Sequence, residues 1–350
     1  MVSSLLPNVA IVILNWNGQQ FLQKFLPLVL AHSPGCQVIV ADNNSTDNSV
    51  AFLQQEFPEV QLIRHEKNLG FCEGYNQALR QVEAEYFVLL NSDVEVTAGW
   101  LKPVISLMET DQTIAACQPK IKSYYQRTKF EYAGAGGGFI DFLGYPFCRG
   151  RVFDAIEEDY GQYNDIAPVF WATGACLIIR ATAFKKAQGL EPAFFAHMEE
   201  IDLCWRLQLL GYKIMYHGQS EVYHVGGGTL PKTNPRKTYL NFRNGLALLY
   251  KNAAPQKRRQ ILTIRVMLDW VAAFKFLTDG QPKDAWAVFR AHRHVWQHRK
   301  YWQNRQHLAQ NASLINPDLV FNKSIVWAYF IKGKNTYRAL NVPHRTALPA

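Results

Sequence analysis

The six cysteines, at positions 36, 72, 117, 148, 176 and 204, form no CxxC pair. Scattered in this way, they exclude a disulfide framework or a zinc cage and read as reduced core residues. The opening stretch MVSSLLPNVAIVILNWNG has no basic leading segment and no cleavage site, and its apolar part is too short to span a bilayer. A cytoplasmic protein is therefore expected. There is no P-loop lysine motif, no nucleophile elbow and no HExxH. The glycine cluster GAGGGF at 134–139 lacks the GxGxxG spacing, the preceding strand and the later acidic residue of a dinucleotide site. Internal repeats and low-complexity segments are also missing.

Charge is sparse, at 19% of residues against 48% hydrophobic, which excludes disorder and leaves ample material for a core. Its distribution is uneven. From Pro255 to Ala350 there are 16 Lys and Arg against 4 Asp and Glu, whereas the first 254 residues hold 21 against 24. A slightly acidic body thus carries a strongly basic, aromatic tail, a composition suited to an acidic membrane surface or to nucleic acid. The tail segment ILTIRVMLDWVAAFKFL contains Arg265, Asp269 and Lys275, so it makes a poor spanning helix. It suits the plane of a membrane interface, apolar face down.

The first 120 residues alternate between short β-branched runs and helical spacings. NVAIVILNW, CQVIVAD, VQLIRHE and YFVLLNSD read as strands, and GQQFLQKFLPLVLAH, SVAFLQQEF and GFCEGYNQALRQVE as helices. Pro27 should kink or shorten the first helix. Such alternation predicts βαβ units and a parallel sheet covered on both faces, with ligands at the carboxyl ends of the strands. Residues 121–168, rich in Gly and Tyr, read as a long excursion or irregular hairpin. ACLIIRATAF, EEIDLCWRLQLLGY and KIMYHGQSEVYHVGGG then give strand, helix and strand, and the chain beyond Pro235 is helical.

The strand ends carry the polar groups: LNWNG, ADNNSTD, RHEKNLGF and LNSDVE. Any one of these Asx clusters is adequately explained as a turn or helix cap. Four at successive strand ends point to a pocket. Asp93, at the end of an apolar strand, supplies the partial oxygen shell that magnesium or manganese takes alongside substrate phosphates; as a turn residue it would cap the next helix instead. In HMEEIDLCWR, Asp202 and Arg206 make an ordinary i,i+4 pair, whereas the adjacent Glu199 and Glu200 raise each other's pKa, which suits a general base. His224 precedes a glycine loop able to close over a site.

Together, VILNWNG, VIVADNNSTDNS, NLGFCEGYNQAL, FVLLNSDVEV, ATGACLIIR, EEIDLCWRLQLLGY and EVYHVGG, in that order, resemble the family 2 glycosyltransferases of GT-A fold, rhamnosyltransferase-like branch. The resemblance covers about residues 8–250. It implies an α/β, GT-A fold: a Rossmann-like, mostly parallel central sheet flanked by helices, with a helical basic C-terminal extension. The domain would span 1–250, its nucleotide-binding half about 1–120 and its acceptor half about 121–250. Residues 251–350 would form the helical, membrane-associating region.

The implied activity is inverting transfer of a sugar from a nucleotide-diphosphate donor, dTDP-rhamnose or a UDP-sugar. The acceptor would be a hydroxyl of a glycan or lipid-linked molecule in polysaccharide assembly, at the cytoplasmic face of the membrane. By the same resemblance, Asn15 and Asn17 border the nucleotide and Asp42 contacts the base. Lys67, Asn68 and Asn76 line the nucleotide and sugar pocket. Asn91, Ser92 and Asp93 occupy the place of the family's DxD, with Asp93 and His224 binding a Mg2+ or Mn2+ ion. Glu200 is the base and Asp202 lies near the acceptor. Asn91 departs from the pattern, which has Asp there. A processive synthase would need several spanning helices and a QxxRW motif, and the sequence has neither. The remaining alternative is a non-catalytic nucleotide-sugar or nucleic-acid binding protein, its basic aromatic tail stacking on bases.

Overall fold

The computed structural model describes residues 7–226 and 234–342. Four apolar runs become adjacent parallel strands: β1 (Val9–Asn15), β2 (Gln37–Asp42), β3 (Gln61–Arg64) and β4 (Tyr86–Asn91). Helices α1 (Gln19–His32), α2 (Ser49–Glu56) and α3 (Gly70–Leu79) provide the crossovers. Such strands read as continuous hydrophobics because both faces are covered. Phe87, Val88, Leu89 and Leu90 are completely buried, each contributing roughly 1.5–3 kcal/mol. Helix α1 is not shortened by Pro27, which lies inside its 14 residues.

After β4 come β5 (Val94–Val96), α4 (Leu101–Thr110) and β6 (Ile114–Ser123). The glycine- and tyrosine-rich stretch that follows folds into a second, smaller sheet. Its strands are β7 (Gly138–Asp141), β8 (Pro146–Cys148), β9 (Arg151–Val152) and β10 (Ala155–Ile156). The chain then returns to the main sheet through β11 (Ile166–Pro168), β12 (Cys176–Arg180), helices α5 (Ala181–Lys186) and α6 (Glu199–Leu209), and β13 (Lys213–His224). The main sheet runs β11-β13-β6-β12-β4-β1-β2-β3, with β5 paired to β13. Strand β12 is antiparallel to both β4 and β6, so the sheet is mixed beyond β4.

The C-terminal region forms α7 (Pro235–Asn252), α8 (Pro255–Thr278) and α9 (Pro282–Gln297). It also returns a strand, β14 (Val320–Phe321), parallel to β7 in the second sheet. Tyr337 packs its ring against Phe139 and Phe147, at 5.2 and 6.2 Å. Among the described residues, no helix is long and apolar enough to cross a membrane. All six cysteines are free and five are buried.

Candidate active site

Register brings the polar strand ends together. Asn15 lies opposite Asp42 and Leu14 opposite Asn91, so β1, β2 and β4 end side by side. The Asn15 amide donates to Asp42 Oδ1 at 3.1 Å and to Ser45 Oγ at 3.2 Å, and Asp42 Oδ2 accepts the Ser45 N–H. Asn15 Oδ1 is buried without a partner, an acceptor whose desolvation is uncompensated within the protein. Asn17 takes a left-handed backbone (φ 53°) and accepts the Thr46 N–H at 2.7 Å, which holds the β2–α2 loop against β1.

From that loop Asn43 reaches the next strand end, donating to Asn68 Oδ1 and Gly70 O and accepting the Leu69 N–H. Lys67 and Asn68 are exposed on this rim. Asn76 is not on the rim. Its side chain is buried one helical turn deeper and makes paired bonds of 2.9 Å with the Leu190 backbone.

Asn91 and Ser92 are half-buried at the end of β4, and Asp93 lies just behind them, nearly buried. His224, at the end of β13, faces Asp93 through Nε2 at 3.2 Å and Glu131 through Nδ1 at 3.1 Å. Burial opposes a charge on the ring, but the two carboxylates outweigh it and raise its pKa to about 10. His224 is therefore an imidazolium held between two anions. Its charge draws the Asp93 and Glu131 pKa values below normal despite their burial. Glu131 had no sequence signal, because it lies in the aperiodic excursion. Glu95 turns aside and pairs with Arg127 through two 2.8 Å bonds. The glycines after Gly226 expected to form a closing loop lie outside the described residues.

A turn preceding β12 carries the site from Asn91 to the second acidic cluster. The Asn91 N–H donates to Ala175 O, and the neighbouring Gly174 N–H faces the Glu200 carboxyl. A Cβ on Gly174 would stand 3.9 Å from that of Glu200 and 3.1 Å from the Phe71 ring, so glycine keeps the turn close to both. Glu199 and Glu200 open helix α6, and each has a buried Oε2 without a hydrogen-bond partner. Burial pushes both carboxyl pKa values up, and the Glu200 charge pushes Glu199 further. Burial and mutual repulsion thus disfavour charging both carboxyls together, an arrangement suited to a proton acceptor.

The loop leading into α6 is strained. Phe195, His197 and Met198 all have φ between 64° and 71°, a conformation costing on the order of 1–3 kcal/mol at each non-glycine residue. Helix α7 holds it in place. Asn244 Nδ2 donates to the carbonyls of Phe194, Ala196 and His197 at 2.7–3.1 Å, and Arg243 donates to those of Ala193 and Phe194. Neither residue stood out in the sequence, where LNFRNGLALLYKN reads as an ordinary helix.

Asp202 lies beneath this loop, fully buried. Its Oδ2 accepts from Arg206 at 2.8 Å and Lys251 at 2.9 Å, and its Oδ1 from Asn252 at 2.8 Å. These cations and bonds overcome desolvation and hold its pKa at about 2. The expected i,i+4 partner is present, but α7 supplies the other two. Asp202 thereby fixes α6 to α7.

The family model for Glycosyl transferase family 2 matches residues 10–186. The chain belongs to the family 2 glycosyltransferases. Over 239 residues, this glycosyltransferase is 26% identical to an N-acetylglucosaminyl-diphospho-decaprenol L-rhamnosyltransferase of Mycobacterium tuberculosis, spanning 64% of this chain and 76% of the relative. It is 22% identical over 221 residues to the rhamnosyltransferase WbbL of Escherichia coli, covering 59% of this chain and 80% of that one. Among solved structures, the mannosyltransferase PcManGT of Pyrobaculum calidifontis, in complex with GDP-Man and Mn2+, aligns with a TM-score of 0.51 at 14% identity. That alignment spans 88% of this chain and 85% of that one. GalNAc-T7 with UDP, GalNAc and Mn2+ aligns with a TM-score of 0.57 at 14% identity, over 73% of this chain and 50% of the other. The fold is GT-A.

Proposed function

We propose that this glycosyltransferase moves a sugar from a nucleotide-diphosphate donor to the hydroxyl of a lipid-linked acceptor, with inversion, in a single displacement. The observation that carries the reading is Glu200: a buried carboxyl with raised pKa and an unpartnered oxygen, beside the strand ends where a GT-A fold receives its donor. The nucleotide lies along Asn15, Asn17 and Asp42, with Asp42 toward the base. Lys67, Asn68, Asn91 and Ser92 border the diphosphate and sugar. Glu200 takes the proton of the acceptor hydroxyl as it attacks, beside a second buried carboxyl, Glu199, that raises the cost of charging the pair. Asp202 and Asn76 act as positioning residues, through α6 and the Leu190 backbone.

The donor set near β4 fits a divalent ion such as Mg2+ or Mn2+. Asp93 and Glu131 bring carboxylates, and His224 an imidazole once it gives up its proton. Among the described residues, no three such groups form a ready metal cage, so diphosphate oxygens would complete the shell, as is usual for magnesium. Asp93 and His224 would hold the ion. When bound, it supplies positive charge that stabilises the departing diphosphate.

The names of the two rhamnosyltransferase relatives support a rhamnose donor, for which dTDP-rhamnose is the candidate ahead of a UDP-sugar, and the decaprenol in one of them supports a polyprenyl-linked acceptor. A purely binding role for nucleotide-sugar or nucleic acid would leave the orphaned Glu200 oxygen without a purpose. The test is a donor screen that follows release of nucleotide diphosphate, with and without EDTA. One donor should turn over, and chelation should suppress it. Absence of turnover with every nucleotide-sugar, in the presence of lipid-linked acceptors, refutes the reading.

A further inference from the structure

Behind the wall of Phe195, helices α7 and α9 enclose a cavity of about 420 Å³. It is lined by Arg236, Arg243, Lys283 and Arg290, with Tyr239 and Phe195 as aromatic walls and no carboxylate. Among the described residues, none of the four cations forms an ion pair. The nearest acid on α9, Asp284, instead accepts a hydrogen bond from Thr238. Arg290 stands over the Tyr239 ring at 5.1 Å and Arg236 over Phe195 at 5.0 Å, which pre-orients both guanidinium groups. His294, edge-on to Tyr239 and stacked on His298, is held down to about 4 by burial, His298 and Arg243. Four cations without a carboxylate partner, Arg243 among them though it also holds the Ala193 and Phe194 carbonyls, call for a multiply charged anion.

The surface next to this cavity is inverted relative to a soluble helix pair. Helix α8 turns one ion pair inward: Arg265 and Asp269 are buried, pairing with each other at 2.9 Å, and Asp269 meets His292 of α9 at 3.1 Å, while Lys275 pairs with Asp279 at the exposed end of the helix. Its outward face carries Met267, Trp270, Val271, Phe274 and Leu277, between 44% and 68% exposed. On α9, Lys283, Ala287 and Arg290 recur at i, i+4 and i+7 toward the cavity, and Trp286 and Phe289 form the adjoining stripe. Their rings stack at 4.9 Å, and Phe289 reaches Trp270 at 6.3 Å. Ion pairs inside and aromatics outside mark a face that meets an apolar phase.

We infer that the Arg236–Arg243–Lys283–Arg290 cavity binds the diphosphate of a lipid-anchored acceptor, its hydrocarbon passing along the aromatic face of α8 and α9 into the membrane. This rests on the glycosyltransferase reading above and names the acceptor's class. The placement suits the chemistry. Phe195 both walls the cavity and, through its carbonyl, accepts the N–H groups of Phe71 and Cys72 at the start of α3. A diphosphate in the cavity therefore lies one loop away from Glu200, and a sugar attached to it extends toward the base. The same loop that strain and Asn244 shape for Glu200 separates the donor site from the acceptor anchor.

The test is binding of farnesyl diphosphate to the full chain by calorimetry, beside farnesol and inorganic pyrophosphate. The lipid diphosphate should bind at least tenfold more tightly than either. The double variant K283A/R290A, which alters two exposed side chains and is checked for folding by circular dichroism, should lose at least tenfold of that affinity. Equal affinity for pyrophosphate and farnesyl diphosphate makes this a free-anion site and overturns the inference, as does undiminished binding by the folded variant. Donor turnover by the wild-type protein is measured separately. Its presence without farnesyl diphosphate binding sinks the cavity assignment alone, and its absence sinks the enzyme reading instead.

Discussion

Replacing Asp202 by Asn separates a residue that builds the site from one that works in it. The carboxylate accepts three charge-assisted or amide bonds and shares Lys251 with Glu191, whose Oε2 lies 2.8 Å from the Lys251 Nζ. In D202N, Lys251 keeps Glu191, but Arg206 faces an amide and loses the carboxylate it pairs with among the described residues. Stranding one buried cation costs about 3 kcal/mol, the lower end of the range for broken buried pairs. At roughly 2.1 cal/mol/K of unfolding entropy per residue, that lowers Tm by about 4 °C in a chain of 350 residues.

The pH dependence has a definite sign. Asp202 is held at about 2, below its ordinary 3.8. The stability it contributes, about 2 kcal/mol, is complete above 3.8 and is lost as pH falls through 3.8 toward 2. Calorimetric melts of wild type and D202N at pH 7 and over the acid range read both effects, and the two proteins should converge at the lowest pH. Transfer by D202N, assayed below its melting range, should fall no more than about tenfold, since α6 is loosened but Glu200 remains. If D202N melts within 1 °C of wild type, the anchoring account fails. If it keeps its Tm but loses all transfer, Asp202 touches the reacting groups.

Four further outcomes follow from the same geometry. N244A removes three bonds to the strained loop and should reduce the turnover rate while leaving donor affinity within about twofold, which separate kinetic and equilibrium titrations resolve. D93N should weaken donor binding and abolish its enhancement by Mn2+, read by calorimetry with and without the ion. G70A places a Cβ 2.5 Å from the Phe195 ring at a φ of +73°, so it should destabilise the fold and shift the loop, visible as a lowered Tm. The acid limb of kcat/KM should lie well above the ordinary glutamate value of about 4.3, because burial lifts the pair at the head of α6 and the base must be charged to act.

The first 120 residues were readable because their rules are local. Phe87–Leu90 announce a strand buried on both faces, and a parallel sheet then sets Asn15, Asp42 and Asn91 at one edge. The second half depended on pairings that have no local signature. Glu131 reaches His224 because the chain doubles back on β6, the Glu131 N–H donating to Ile121 O, and β14 joins the second sheet from nearly 180 residues further along the chain. Asp202 with Arg206 resembled a surface i,i+4 pair in the sequence, and only the arrival of Lys251 and Asn252 turns it into a buried anchor. Asn76 matched a motif position, yet its amide is used up by the Leu190 backbone. Pro27 failed to interrupt α1, where burial of Leu22, Phe25, Leu26 and Val29 outweighs the bond the proline removes.

The most direct test of the central claim is E200Q assayed for donor binding, transfer and Tm together. The amide keeps the shape and removes the proton acceptor, and it also removes the cost of charging a buried carboxyl. Transfer should fall by roughly 100- to 10,000-fold, the usual worth of a general base. Donor affinity should be unchanged, and Tm equal to or above wild type. Normal transfer by E200Q, with donor binding and folding intact, would contradict the assignment of Glu200 as the base.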